Sequence, residues 1–180
     1  MKKNNKGFSL VELIIVIAIM AILAGAIAPA LIRYIDKSRK SNDVTAAKTI
    51  KTAVETAMAN EKTYEYLTSG TADANDNTGV INIQPGATTA SGNVTISATL
   101  PAGTDLTNAD KTNAEEEIFK NIGESVPRIK YKKPADGVAA NAPSDFVVTC
   151  TKGGTIAVYI SKGSNDLTFQ LCPEICSYYQ

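Results

Sequence analysis

The sequence predicts an α+β protein. A long N-terminal helix has an apolar first half that protrudes and a second half packed on a C-terminal antiparallel β-sheet. Three observations carry this. Residues 13–32 contain no charged side chain, and about 20 such residues cross a bilayer core of roughly 30 Å. From Ala46 onward Ala47, Ile50, Val54, Ala57 and Met58 recur at three- and four-residue spacings, the pattern of a helix with one buried stripe. The last third holds three short β-rich runs, at 146–151, 155–161 and 167–172, each bounded by turn residues.

The chain of 180 residues is long enough for one modest domain plus an anchor. Lys+Arg and Asp+Glu are 18 each, so no strongly basic surface points to nucleic acid. Without Lys2, Lys3 and Lys6 the balance is 15 basic to 18 acidic groups. There is no His and no Trp. Lacking His, the chain lacks the commonest general base and the commonest zinc ligand. No catalytic constellation and no cofactor site emerges, and the chain reads as a non-enzyme.

Neither Gly nor Pro occurs between Ala30 and Lys62, so residues 8–62 read as one helix of about 80 Å. Its first half is apolar nearly all round, which suits lipid or a bundle; its second half is apolar on one stripe, which suits packing under a domain. Gly25 and Pro29 lie inside the apolar run. An interior proline removes a backbone hydrogen bond and costs roughly 3 kcal/mol in water, but membrane helices tolerate it. The pair marks a weak point in the helix.

The helix is expected to fray over 63–69, before a loop at 70–79. Residues 80–83 and 93–100 have strand-like content and are separated by Pro85-Gly86. Asn93-Val94-Thr95 fits the glycan-acceptor pattern but reads better as polar strand residues. Thr112 and Glu115 have capping-box spacing. They predict a short helix over 113–121 ending at Gly123, with Glu115, Glu116 and Glu117 as a solvated first turn. Residues 127–143 are irregular and partly basic: Arg128, Lys130, Lys132 and Lys133, with Tyr131 nearby. A soluble loop explains them better than a polyanion patch.

In the C-terminal third Gly153-Gly154 reads as a tight hairpin, and residues 162–166 join the second run to the third. The result is an antiparallel meander, with Ile156, Val158 and Ile160 on one face and Leu167, Phe169 and Leu171 on another. Cys150 and Cys172 then lie two strand spacings apart. That is about 9.5 Å, beyond the roughly 7 Å reach of a disulfide. Cys172 and Cys176 are four residues apart around Pro173, so a local bridge between them is feasible. A Cys150–Cys176 bridge and three free thiols stay open beside it.

The N-terminal run has three competing readings. A cleaved secretory signal would use the basic Lys2, Lys3 and Lys6 and the small-residue sites at Ala24-Gly25-Ala26 or Ala28-Pro29-Ala30. Glu12 opposes it, because the acid stands where the apolar region of such a signal begins. An ordinary uncleaved anchor is the second reading, with no clear orientation, since Arg33, Lys37, Arg39 and Lys40 follow the run. The third rests on Lys6-Gly7-Phe8-Ser9-Leu10-Val11-Glu12 ahead of the apolar helix. This segment resembles the class III signal of type IV prepilins.

The resemblance covers about residues 1–35. It implies a leader at 1–7 and a membrane and filament-core helix at 8–32. The globular head would be 33–180, including the amphipathic helix half to about 62. It implies cleavage between Gly7 and Phe8 by a prepilin peptidase, which also N-methylates Phe8. It implies polymerisation with other pilin subunits on an inner-membrane assembly platform, from a precursor held in membrane lipid. Glu12 would meet the N-terminal amine of a neighbouring subunit and set register, a use of buried charge for specificity. Gly25 and Pro29 would become a helix weak point in the fibre. The bridge common near the C-terminus of many pilins is similar in spacing, though not identical, to Cys172–Cys176. A major pilus subunit follows, serving adhesion, twitching motility or biofilm formation at the bacterial surface, with no particular surface ligand indicated. Alternatives are a minor pilin, a pseudopilin of a secretion or DNA-uptake machine, or an anchored binding module that never polymerises.

Overall fold

A computed structural model describes residues 8–134, 137, 142–161 and 167–180. Residues 1–7, the expected leader with Gly7 of the expected cleavage site, and the 162–166 connection lie outside the described residues. The chain divides into two compact units, Met1–Ser38 and Arg39–Gln180. Helix α1 (Leu10–Ala57) supplies most of the described part of the first and opens the second. It continues unbroken through Gly25 and Pro29.

In the second unit α1 buries Val44, Ala46, Ala47, Ile50, Ala53, Val54 and Ala57. The expected stripe is there, widened by the small alanines that let the helix approach closely. The helix does not reach Lys62. It stops at Ala57, where the Ala59 and Asn60 amides tighten onto the Thr56 and Ala57 carbonyls at 3.1 Å. The Asn60 side chain then accepts the Lys62 amide at 3.0 Å and starts a second helix, α2 (Glu61–Thr68). The stretch expected to fray is therefore helical. An asparagine N-cap breaks the axis without Gly or Pro.

Among the described residues five strands form one antiparallel sheet in the order β2-β1-β3-β4-β5. They are β1 (Asn77–Ile83), β2 (Val94–Ser97), β3 (Asp145–Thr151), β4 (Ile156–Ser161) and β5 (Phe169–Cys172). The C-terminal meander stands as expected, closed by the Gly154 amide on the Thr151 carbonyl. Two apolar rows cross the whole sheet. One runs Ile96, Ile81, Val148, Val158, Cys172, and the other Val94, Ile83, Phe146, Ile160, Phe169. All ten side chains are buried, and they share one core with the α1 stripe and with α3 (Asn108–Ile122).

Several local expectations shift. β1 begins at Asn77, inside the expected loop, because the Asp73 carboxylate takes the Asn75 and Asn77 amides at 2.8 and 2.9 Å and turns the chain into the strand. α3 is longer than expected. Its capping box is Thr107 with Asp110, while the Thr112 hydroxyl donates back to the Asn108 carbonyl inside the helix. Glu115, Glu116 and Glu117 are thus mid-helix and not a first turn. Glu115 accepts the Ile96 amide of β2 at 2.8 Å, so it is a sheet-edge acceptor as well as a surface charge. Gly123 ends α3 in the left-handed region, as its position implied.

The described part of 127–143 is no free loop. Ile129 and Tyr131 are buried, and the segment is strapped to α1 by Asp43. The Asp43 Oδ1 accepts the Lys130 amide at 2.7 Å and Oδ2 the Tyr131 amide at 2.9 Å. Strand β3 also differs from expectation: it is an outer strand of the meander but an interior strand of the sheet, because β1 pairs along its other side.

Candidate functional site

The head of α1 is built by a short polar sequence. The Leu13 amide donates to the Ser9 carbonyl at 3.2 Å, and the Ser9 amide donates to the Glu12 Oε2 at 2.8 Å. This is the return half of a capping box, Ser9-Leu10-Val11-Glu12. The cap spacing is legible in the sequence, and the structure adds that the bond is made. It places the carboxylate in the first helical turn, where unpaired amides favour an anion. Phe8 precedes the cap and is 81% exposed.

Behind Glu12 the helix is long and apolar enough to cross a membrane by length and composition. Between Phe8 and Ile35 seventeen large apolar or aromatic side chains are exposed. Leaving each in water forgoes about 1.5–3 kcal/mol, which sums to tens of kcal/mol. Such a surface requires lipid or other chains around it. Around Gly25 an added Cβ would meet nothing within 4 Å, so this glycine is not needed for packing inside the chain. The arrangement offers an apolar helical shaft with one carboxylate at its head, a device for insertion and association.

In the second unit Asp43 is a buried charged side chain. One signal pointed to it: it lies one turn before Ala47 on the same stripe. Burial pushes its carboxyl above the ordinary value, and the Lys130 and Tyr131 amides partly offset this. The strap it holds leads to an aromatic cluster of Tyr131, Phe169, Tyr178 and Tyr179. The Lys40 ammonium lies 5.1 Å from the Tyr131 ring centre and 5.0 Å from that of Tyr178.

Cys150, Cys172 and Cys176 are free thiols in this structure. The local Cys172–Cys176 bridge is not formed. Cys172 is held in the sheet opposite Val158 with its side chain buried, and the Cys176 amide is engaged by the Gln170 carbonyl at 2.9 Å. Burial pushes the Cys150 thiol up to about 11. It also raises Cys172, against the opposing pull of Lys48 and Lys51.

Residues 2–28 match the family model for the prokaryotic N-terminal methylation motif. Over 155 residues the chain is 35% identical to fimbrial protein Q of Moraxella bovis, covering 85% of this chain and 89% of that protein. It is 40% identical over 62 residues to a type IV major fimbrial protein FimA of Dichelobacter nodosus, covering 34% of this chain and 40% of the relative. A fimbrial protein of Moraxella nonliquefaciens is 42% identical over 60 residues, covering 33% of this chain and 39% of the relative. No solved structure gives a significant match. The methylation motif lies over the capped, apolar head of α1, and the long alignment extends through most of the second unit. The chain belongs to the type IV fimbrial proteins, the type IV pilins.

Proposed function

We propose that this chain is the major subunit of a type IV pilus, made as a membrane precursor and polymerised through α1. As a type IV fimbrial protein it is structural and not an enzyme. In this reading residues 1–7 are a leader, 8–32 the membrane and filament-core helix, and 33–180 the head. A peptidase cuts between Gly7 and Phe8 and methylates the new Phe8 amine. The apolar run first holds the precursor in the cytoplasmic membrane and later forms the core of a surface fibre. An assembly platform in that membrane would carry the exchange. The fibre would serve adhesion, twitching motility or biofilm formation.

The observation that supports this best is the exposed apolar shaft with Glu12 at its head. A carboxylate in hydrocarbon costs roughly 2.5–3.5 kcal/mol at the centre and less towards the interface. The Ser9 amide occupies Oε2, leaving Oε1 for a donor from outside the chain. The amine freed at Phe8 of a neighbouring subunit is such a donor, and the pair forms only when subunits are in register. Gly25 and Pro29 would be where the shaft yields on entering the fibre.

Mass spectrometry of the N-terminal peptide from sheared fibres tests the reading. A peptide beginning at methylated Phe8 is the expected result. An intact Met1, or an N-terminus between residues 25 and 31, would overturn it in favour of a plain anchor or a cleaved secretory signal.

A further inference from the structure

One surface of the second unit has no part in the shaft. Where β1 finishes and β3 begins, with Ile83 opposite Phe146, an open cleft of about 670 Å³ is lined by Arg39, Arg128, Lys130, Lys132 and Lys133 against one acid, Asp145. All five cations are exposed. Among the described residues no salt bridge involves them. The Asp43 latch holds this constellation in place, since it fixes the backbone of Lys130 and Tyr131 to α1.

The opposite charge collects at the other end of β1. Residues 61–76 and 105–111, which lie at that end, carry six acidic side chains against two basic ones. α2 is seated where β1 begins, with the Thr78 hydroxyl donating to the Leu67 carbonyl at 2.7 Å. The start of α3 joins it there, because Asn108 and Lys111 line the same hollow as Asp73 and Asn77. Glu61, Glu65, Asp73, Asp76 and Asp105 are exposed on these segments. β1 has seven residues, so the two charged ends are about 20 Å apart. The same order runs along α1. Arg39 lines the cleft, and α2 follows soon after α1 ends at Ala57.

We propose that the basic cleft of one chain receives the acidic α2 end of a second copy, so that heads stack head to tail along the direction of α1. The inference rests on the filament reading above and names the head surfaces that the fibre uses. Two different surfaces at opposite ends make a heterologous contact, which repeats without closing and so builds a fibre in place of a dimer. Subunits already joined through their shafts present the two surfaces at high effective concentration, so exposed charges suffice. A free polyanion would use the cleft alone and give the acidic end no part, whereas a second copy uses both surfaces.

The test uses the full chain in cells that assemble fibres, with three variants. One carries Arg128→Glu with Lys132→Glu, one Glu61→Lys with Glu65→Lys, and one all four. Each double variant is expected to lower sheared-fibre yield about tenfold, and the fourfold chain, with both signs exchanged, to recover most of it. Unchanged N-terminal processing and melting temperature of the detergent-solubilised chain establish that the variants fold. Normal yield from either double variant overturns the proposal, as does a fourfold chain no better than the doubles. A cleft variant that loses binding to double-stranded DNA while its fibres stay normal reassigns the cleft to a polyanion. A second arm needs no variant: wild-type fibres should release subunits faster in about 1 M than in about 0.1 M salt, as the screening length falls from about 10 to about 3 Å. Release that does not change with salt counts against the proposal. A wild-type chain that forms no fibres sinks the filament reading itself, and this inference with it.

Discussion

The two stretches of α1 belong to one continuous helix and meet opposite fates. From Leu10 to Ile35 the large apolar side chains are exposed, whereas from Val44 to Ala57 the apolar side chains of the stripe are buried. The difference lies in composition and pattern together: seven of the fourteen residues 44–57 are Thr, Lys or Glu and leave one apolar stripe, whereas residues 13–32 carry no charge on any side. Apolar residues on every side of a helix cannot all be covered by one domain, so the first stretch is completed by lipid or by other chains. A single stripe can be covered by one sheet face, and β1 to β5 supply it. One continuous helix thus carries an intermolecular half and an intramolecular half, and substitutions should separate them.

The largest separation is expected from Glu12→Ala. It removes the one carboxylate in the shaft and should lower fibre yield at least about tenfold, in line with the loss of one partner of a buried pair. The detergent-solubilised chain should melt as before, since Glu12 lies outside the second unit's core; normal fibres at normal yield would remove the register role. Asp43→Ala is the converse. It leaves two strap amides without acceptors and should cost about 3 kcal/mol, seen as a lower melting temperature with N-terminal processing intact.

Asp43 also gives a pH dependence with a definite sign. Its carboxyl is raised above the ordinary 3.8 in the folded chain, so between those values the folded state holds more protons than the unfolded one. Its contribution to stability therefore falls as pH rises from 3.8 through the folded value, and is level above it. Asp43→Asn should remove that slope, as read from the difference between the two melting curves across pH; parallel curves would contradict it.

Smaller effects sharpen the account of the second unit. A Cβ on Gly79 would stand 2.8 Å from the Leu67 carbonyl oxygen and 3.1 Å from its Cδ2. Gly79→Ala should push α2 off β1 at a cost of about 1–3 kcal/mol, measured by denaturant unfolding. Thr107→Ala should cost about 1 kcal/mol by removing the cap of α3. Thr112→Ala should cost less than about 0.5 kcal/mol, because that hydroxyl only bonds back within its own helix. The reverse order would restore the capping box first expected from the sequence.

What could be read in advance was local and periodic. The apolar run, the stripe from Ala47 to Ala57, the Gly153-Gly154 hairpin and the Gly123 stop each depend on neighbours a few residues away. The misplaced boundaries arose where several local signals compete. Asn60 caps α2 inside a stretch that lacks Gly and Pro, and Thr107-Asp110 has the same three-residue spacing as Thr112-Glu115. At the head of α1, Ser9 and Glu12 have cap spacing as clear as the signature that drew attention to them.

The family signature, the shaft and the presence of a β-rich head are all written in local sequence, because short-range pattern is enough to specify each. It takes the folded chain to pair β1 with β3, to latch Asp43 onto Lys130 and Tyr131, 87 and 88 residues away, and to line one cleft with scattered cations while acids gather at the far end of β1. These depend on which distant segments share a core, and one chain's local periodicity does not encode such pairings. Glu12 belongs to both accounts. Its place at the head of the shaft is written in sequence, and its bond to the Ser9 amide is a fact of geometry.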